Sequence, residues 1–417
     1  MGKIFSSVFL ALALISLAGC GDDNTISFKV IGKVLQAPDG TAASDATVIC
    51  AESAKFAKVK PDGTFELSCE VQQLDPEVAP MVGVRFERTG FVPVTKSFQP
   101  VDKASYAAVV VVSKELSKRT FTIPELDVPH LEEVDNNELS FHWNSFIAEE
   151  GVIATGEAEV SMASWDPSLP SNFEETPPFV DALYPPFPAE IQTNDDASPY
   201  LRTLAAIYLY DHKFQINPER GVDFEMISLY AAVAFGEELK SNDNRVFRQD
   251  PYTGVFVEQK EGIKVQSNQL KGGISEYGVW IWAKEVKSKG CVDVTVKIGD
   301  RLYDGAQFAM YDTDINNKNK TLLYEAFGSR DGTRRLMGPI GKQVRIQTWI
   351  AEGERLESQE VMSITSGNCT DSPKVVEFVF PCVTKDDCVD DSICEEGVCV
   401  ALEPAQEDDS QNDEPAE

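Results

Sequence analysis

The chain contains 417 residues, and 42% of them are hydrophobic, so it is long and apolar enough for about two to four globular domains. Acidic residues outnumber basic ones by 68 to 37, which gives a formal net charge of -31. Such a charge repels other polyanions, so nucleic acid and direct contact with acidic lipid headgroups are excluded as expected partners.

The first twenty residues predict export. Lys3 precedes an apolar run over residues 4–17, which is about fourteen residues long and too short to span a bilayer as a stable helix. The sequence Leu17-Ala18-Gly19-Cys20 that follows resembles the bacterial lipoprotein signal. This resemblance implies that residues 1–19 are removed and that Cys20 carries acyl chains such as palmitate, which anchor the protein in a lipid membrane. The alternative is an ordinary signal peptide with a chance cysteine.

Residues 20–25 are a short polar tether after this cysteine. In lipoproteins of Gram-negative bacteria an Asp directly after the acylated Cys is typical of retention at the inner membrane, whereas this chain has Gly21. The resemblance therefore implies a cell-envelope protein that is anchored in the outer membrane. Exposure at the cell surface is one orientation, and a periplasmic orientation is the other.

Residues 26–123 are predicted to form a β-sandwich, because short alternating apolar runs are separated by turn residues. Residues 32–34, the segment Pro61-Asp62-Gly63-Thr64-Phe65 and the later segment 89–94 resemble the carboxypeptidase regulatory-like domain, a small transthyretin-like sandwich. Within that turn, Gly63 supplies backbone freedom and Phe65 fills the core.

Residues 124–290 are predicted to be a middle β-rich domain. Residues 166–200 interrupt it with eight prolines, so the backbone there is expected to be a stiff loop and not a strand. This loop carries Tyr184 and Phe187 as candidate ligand contacts. It forms either a contact surface or a cover for a sheet edge.

The order of these segments resembles the cartilage intermediate layer protein group, in which a β-rich module lies between carboxypeptidase-regulatory-like sandwiches. The resemblance rests on residues 155–160, 248–258 and 275–282, and it implies a shared architecture. The chain has Glu276 and Ala283 where members of the group tend to have His and Asn, so a shared ligand is not implied.

Residues 291–380 are predicted to form a second β-sandwich that repeats the first. The run 291–296, the segment 302–311 and the turn Asp331-Gly332-Thr333 repeat its order at a spacing of about 265 residues. This spacing is too long for a solenoid and indicates a duplicated domain. The expected fold class is therefore all-β, with β-sandwich domains in tandem and a small disulfide-rich C-terminal module.

Cysteine usage agrees with export. Lipidation of Cys20 leaves eight of the nine cysteines, and an even number in an exported chain predicts disulfides. Cys50 and Cys69 flank a predicted hairpin, and Cys291 and Cys369 bracket the second sandwich.

Residues 381–400 resemble a Dickkopf-like cysteine-rich knob. The segment is too short for a hydrophobic core, so its disulfides must hold it together. Its cysteines are Cys382, Cys388, Cys394 and Cys399. Structural zinc is the competing interpretation, although zinc sites usually have more closely spaced pairs. Residues 401–417 are acidic and are expected to form a disordered tail.

The sequence gives little support for catalysis. Its three histidines are His130, His142 and His212. His130 and Glu133 match the first half of a metallocarboxypeptidase ligand set, so a divergent peptidase is one interpretation and a solvated loop histidine is the other. The sequence contains no nucleophile elbow and no phosphate-binding loop. We therefore predict no catalytic residue and no cofactor.

Asp312 begins a run that places oxygen donors as a calcium loop does. Asn317 replaces the required glycine and Leu323 replaces the bidentate Glu, which excludes an EF-hand. A looser calcium site is an alternative, but no metal is predicted.

Trp280 and Trp282 are two residues apart on a predicted strand and therefore share one face. They form either a stacking platform for sugar rings or part of the core. We expect a non-enzymatic, lipid-anchored envelope protein that acts as an adhesive or scaffolding module. Its partners would be the membrane and a surface protein or glycan. A glycan-capturing lipoprotein that serves polysaccharide uptake is the alternative from another class.

Overall fold

The computed structural model describes a large part of the chain. The described residues are 24–36, 40–75, 78–112, 115–126, 128–134, 137–165, 191–192, 201–211, 213–226, 244–259, 264–266, 269–287, 289–312, 321–329, 331–341, 343–351, 355–357, 362–364, 369, 374–389 and 392–402. They fold as β-strands with short 3-10 helices at Glu149–Gly151 and Lys385–Asp387, so the all-β prediction is confirmed. Within these ranges no helix has the length and apolar character needed to cross a bilayer.

The first sandwich lies within residues 24–112 and has two four-stranded sheets. One sheet contains β1 (Thr25–Gln36), β2 (Thr41–Ala42), β5 (Thr64–Gln72) and β8 (Ser105–Val112). The other contains β3 (Thr47–Cys50), β4 (Phe56–Lys58), β6 (Val82–Glu87) and β7 (Val94–Phe98), in the order β4-β3-β6-β7. Strand β1 is antiparallel to β5 and parallel to β8.

Alternation of apolar and polar residues specifies most of these strands. In β5, Phe65, Leu67 and Cys69 are buried and the residues between them are exposed. Strand β8 differs, because seven of its eight residues are buried. Its inner face joins the core between the two sheets, and its outer face is covered by another part of the chain.

The middle sandwich consists of a seven-stranded and a five-stranded sheet. The larger sheet contains β9 (Ser117–Thr122), β13 (Glu157–Trp165), β14 (Ile191–Gln192), β15 (Leu201–Asp211), β18 (Asn244–Gln249), β19 (Phe256–Glu258) and β22 (Gly278–Glu285). The smaller contains β10 (His130–Val134), β11 (Asn137–Phe141), β17 (Val222–Met226), β20 (Lys264–Gln266) and β21 (Gln269–Ile274). A separate two-stranded sheet pairs β12 (Phe146–Ile147) with β16 (Gln215–Ile216).

Two details of this region differ from the sequence interpretation. Strand β9, which the predicted boundary at residue 123 places in the first sandwich, pairs with β13 of the middle sandwich. Within the proline-rich segment, β14 is a two-residue strand that pairs with β19, although the whole segment was expected to be a loop. The remainder of residues 166–200 lies outside the described residues.

The third sandwich lies within residues 289–380. One sheet contains β23 (Lys289–Ile298), β24 (Arg301–Leu302), β27 (Thr333–Pro339) and β31 (Lys374–Phe380). The other contains β25 (Gln307–Asp312), β26 (Thr321–Phe327), β28 (Gln343–Trp349), β29 (Arg355–Glu357) and β30 (Met362–Ser363). Its core includes Val294, Phe308 and Ile346.

The first and third sandwiches share one strand connectivity. Strand β23 is antiparallel to β27 and parallel to β31, as β1 is to β5 and β8. The correspondence extends to single residues, because the amide of Val34 donates to the carbonyl of Gly63 and that of Val296 donates to the carbonyl of Gly332. Both glycines have positive φ angles, 83° and 69°, which a residue with a side chain would adopt only with strain.

The C-terminal knob pairs β32 (Ser392–Glu395) with β33 (Val398–Ala401). It packs on the turn between β23 and β24, where the side-chain Nε of Arg301 donates to the carbonyl of Cys388 at 3.0 Å. Before the hairpin, the carboxylate of Asp387 accepts hydrogen bonds from the amides of Val383 and Thr384, both at 2.8 Å. The tail after residue 402 lies outside the described residues.

Candidate functional site

The first and third sandwiches meet along the open edge of β8. The carboxamide of Gln307 accepts from the amide of Val109 at 2.7 Å and donates to the carbonyl of Val109 at 3.0 Å. It therefore takes the place of a neighbouring strand. The amide of Ala107 donates to the carbonyl of Gly305 at 2.7 Å, and the hydroxyl of Tyr303 donates to the carbonyl of Ser105.

This close approach depends on residue 305 being glycine. A Cβ atom at that position would lie 1.8 Å from the carbonyl oxygen of Ser105. Behind the contact, the outer face of β8 packs on the third sandwich through Ala107 and Val109 against Tyr311 and Trp349. The edge of the first sandwich is thereby closed by the chain itself.

A buried ion pair lies beside this contact. The Nζ atom of Lys96 is 2.5 Å from a carboxylate oxygen of Glu325, and each side chain is only 10% exposed. The other oxygen of Glu325 accepts from the side-chain amide of Gln307 at 2.9 Å. Phe327 enters the core of the first sandwich and lies against Phe98, with a centroid separation of 5.1 Å. The ion pair and the ring of Phe327 together hold the two sandwiches in one relative position.

A tight turn over residues 250–254 joins the middle sandwich to the first. One carboxylate oxygen of Asp250 accepts from the amides of Tyr252 and Thr253 at 2.9 and 2.7 Å, which is an Asx-type turn. The carbonyl of Tyr252 then accepts from the amide of Gly83, and that of Thr253 accepts from the hydroxyl of Ser97.

Gln249 extends this contact, because its side-chain amide donates to the carbonyl of Thr95 at 2.9 Å. This turn is part of the segment on which the resemblance to the cartilage intermediate layer protein group rests. In this chain its polar residues form an interface between sandwiches.

The peptidase half-site, which was one of two interpretations of His130, is not assembled. His130 and Glu133 are three residues apart on strand β10, so their side chains point to opposite faces. His130 instead contacts Glu132, with Nε2 at 2.8 Å from a carboxylate oxygen, and its ring stacks on Phe121. The expectation of a loop histidine was also wrong, since the residue lies in a strand.

His142 belongs to a second polar cluster. Its Nε2 atom is 2.9 Å from Asp223, and Arg220 donates to both carboxylate oxygens of Asp223 at 3.0 and 2.9 Å. Burial raises the pKa of Asp223, but the hydrogen bonds from Arg220 and His142 outweigh it and hold the pKa below its usual value. The nearby hydroxyl of Ser145 donates to the carbonyl of Gly221, so it is not hydrogen-bonded to the histidine ring as a nucleophile would be. His212 lies outside the described residues.

Six of the candidate cysteines are paired in disulfides. The pairs are Cys291–Cys369, Cys382–Cys394 and Cys388–Cys399, with Cα separations of 5.0, 5.8 and 5.5 Å. Three sulfurs of the knob lie within 4.8 Å of one another, in the manner of a metal cluster. Disulfide sulfurs are not thiolates, however, so the zinc interpretation would require both knob disulfides to be reduced.

Cys50 and Cys69 are buried thiols in the structure. The expected hairpin between them is wrong, because β3 and β5 belong to opposite sheets. The two side chains are hydrogen-bonded to each other across the core, which lowers the pKa of Cys50 to about 6 and raises that of Cys69.

Trp280 and Trp282 do share one face, but that face is the core. They are 2% and 0% exposed, and the ring of Trp282 stacks on Phe224 at 4.2 Å. A surface platform at these two residues is therefore excluded, and core packing is observed. Lipidation at Cys20, the loop contacts Tyr184 and Phe187, and the candidate calcium run after Asp312 all lie outside the described residues.

Two exposed aromatic residues were missed by the sequence analysis. Phe56 and Tyr252 are 65% and 69% exposed, and both lie on the outer side of the sheet β4-β3-β6-β7. We name them the outer aromatic pair. Phe56 lies opposite Ile49 in the pairing of β3 with β4, out of phase with the buried Val48 and Cys50, and this phase could have indicated its exposure.

Comparisons with known proteins give no family. No family model and no curated protein matches the chain. Among solved structures, it is similar to the Bacillus anthracis TIE protein (10% identity, 85% of this chain, TM-score 0.16). It is also similar to BcpA, the major pilin subunit of Bacillus cereus (8%, 85% of this chain and 98% of BcpA, 0.15), and to a streptococcal ancillary pilin (12%, 85% and 98%, 0.17). The chain spans 50% of the TIE protein. TM-scores this low support no conclusion about function.

Proposed function

We propose that this protein is a lipid-anchored, non-enzymatic module of the bacterial cell envelope with an adhesive or scaffolding role. Acylated Cys20 attaches it to the outer membrane, and the β-sandwiches after the tether present a contact surface. We also propose that the domains begin at residues 26, 124, 291 and 381, except that β9 belongs to the middle sandwich.

The observation that carries the scaffolding role is the use of buried polar side chains to join sandwiches. Gln307 closes the edge of β8, and Gln249 binds the turn to the first sandwich. Lys96 and Glu325 form an ion pair in which both side chains are largely buried. A buried polar group is costly unless its partner is in place, so each contact favours one arrangement of the sandwiches. A fixed arrangement suits a spacer or a presenting module.

The anchor is tested by fractionating cells that express the wild type, Cys20→Ala and Gly21→Asp. We expect labelled palmitate in the wild type, none in Cys20→Ala, and a shift of Gly21→Asp towards the inner membrane. Protease treatment of intact cells, followed by mass spectrometry, then reports the orientation. Equal membrane retention of Cys20→Ala and wild type would overturn the anchor.

The adhesive role is tested with the outer aromatic pair. Cells that carry Phe56→Ser and Tyr252→Ser should adhere less to immobilised glycans and to cells of the same strain, because exposed aromatic rings are common contact residues. Trp143→Ser is the matched control, since Trp143 is 40% exposed on the middle sandwich. Unchanged adhesion of the double variant would exclude this surface.

A further inference from the structure

The first sandwich contains two cysteines that face each other across its core. Cys50 ends β3 and is 0% exposed, whereas Cys69 lies in β5 and is 1% exposed. Both side chains belong to the core cluster between the two sheets, where the thiols contact each other although β3 and β5 lie in opposite sheets. The other six described cysteines are all in disulfides.

The position in the sandwich explains how the two residues reach each other. Strand β5 is at one end of its sheet, and β4 is at one end of the other sheet, next to β3. Lys55, just before β4, pairs with Glu70 of β5 at 2.7 Å. The two sheets therefore approach closely at this side, where a cysteine from each can span the gap.

We infer that Cys50 and Cys69 are joined by a disulfide in the exported protein, as a covalent link between the two sheets of the first sandwich. The inference rests on the proposed export, because the bacterial envelope is an oxidising compartment and the cytoplasm is not. The environment that oxidises the other three pairs also acts on this one.

The chemistry is thiol–disulfide exchange with the disulfide of an oxidoreductase. The thiolate of one cysteine attacks that disulfide and displaces one sulfur as a thiol. The second thiolate then attacks the mixed disulfide, so that the Cys50–Cys69 bond forms and the oxidoreductase leaves as a dithiol. Two protons and two electrons leave the chain. Because the pair is buried in the folded sandwich, the exchange takes place before the core closes.

A buried link of this kind would be resistant to reduction. The backbone partners of the two cysteines are Val84 and Phe28, both buried, so the site is apolar and closed to reductant. Cys291 and Cys369 differ, because their bond lies at the margin of the third sandwich, where Cys369 is only half-buried. The cysteine pairs of the first and third sandwiches therefore lie at non-equivalent positions.

The test is a thiol count on the full chain extracted from the envelope. The protein is unfolded in guanidinium, alkylated, reduced, alkylated with a second reagent and mapped by mass spectrometry. We expect only the second label on Cys50 and Cys69. The first label on these two residues alone would overturn the inference while leaving export intact. The first label on all eight would overturn it together with the oxidising compartment on which it rests.

A second measurement keeps the inference testable if mapping is incomplete. Reduction in denaturant should lower the unfolding midpoint of the first sandwich in the wild type and in Cys291→Ala/Cys369→Ala. The variant Cys50→Ala/Cys69→Ala should show no such shift. An equal shift with and without this pair would contradict the link.

Discussion

The first and third sandwiches have the same connectivity but opposite surfaces on their parallel edge strands. In the first, Ala107 and Val109 of β8 are buried against a neighbouring sandwich. In the third, Val375 and Val379 of β31 are 65% and 51% exposed. Between them Glu377 pairs with Lys297 at 2.7 Å on the surface.

The difference shows that different residues specify the strand connectivity of a sandwich and its packing on a neighbouring sandwich. Inward residues alternate in the same way in both sandwiches and specify the same sheets. Outward residues of one strand decide whether that sheet is covered. Three buried residues, Ala107, Val109 and Val111, make the outer face of β8 apolar, so its removal from water is favourable. In the third sandwich, ion pairs such as Asp293–Arg335 keep the equivalent sheet in solvent.

The largest expected effect comes from charging the two equivalent faces. Val109→Asp would bury a carboxylate without a counter-ion, and we expect it to cost about 4 kcal/mol of unfolding free energy. Val379→Asp should change stability by less than about 0.5 kcal/mol, because its side chain is exposed. Denaturant titration of both variants measures the contrast. Similar losses would mean that the outer face of β8 is not more buried than that of β31.

The next effect concerns the ion pair. Lys96→Met leaves the carboxylate of Glu325 buried without its cation, so we expect a loss of about 3 kcal/mol. The control is Lys29→Met in the same sandwich. Its pair with Glu66 is half exposed and screened by solvent, so its loss should leave the unfolding midpoint nearly unchanged.

A compensating variant separates charge from packing. Lys96→Met/Glu325→Leu should recover most of the stability that Lys96→Met loses, since no unpaired charge is left in the interface. A double variant that is less stable than the single one would show that packing, and not charge, dominates there.

A smaller effect is expected from Gly305→Ala. The added Cβ atom would meet the Ser105 carbonyl, and we expect a loss of about 2 kcal/mol with increased hydrogen exchange along β8. Gly273→Ala is the control, because nothing lies within 4 Å of a Cβ atom at that position. Unchanged exchange in β8 would indicate that the edge is not held by this contact.

The smallest effect concerns the repeated Asp-Gly-Thr turn. In the first sandwich Asp62 accepts from the amide and hydroxyl of Thr64 at 3.0 and 2.7 Å. In the third, the hydroxyl of Thr333 contacts that of Thr295. The hydrogen bonds from Thr64 hold the pKa of Asp62 below its usual value.

Because this pKa is lowered in the folded state, the charged carboxylate stabilises the fold above the usual aspartate pKa. That contribution is lost as the pH falls through the lowered pKa. Asp62→Ala should therefore be slightly less stable than the wild type near neutral pH, and the difference should disappear in strong acid. Thermal unfolding at several pH values measures it. A constant difference would mean that the charge has no role.

The sequence predicted the elements that depend on local pattern. Alternation indicated the strands and the all-β class, and the Asp-Gly turns indicated the repeated sandwich. The same pattern could not assign β9, since a strand's partners lie far away in sequence and several sheets could accept it. The phase of Trp280 and Trp282 was predictable, but a period of two does not say which face of a strand meets a second sheet.

By itself, the sequence determined the fold class, the internal repeat and the candidate cysteines, because each follows from residue type and spacing. Only the tertiary structure decided which surfaces are covered and which side chains meet. Three pairs of residues that are separated in the sequence are adjacent in the fold. They are Gln307 and Val109, Lys96 and Glu325, and Cys50 and Cys69. Their contacts arise from how sheets pack on one another, and the free energy of that packing depends on many residues at once.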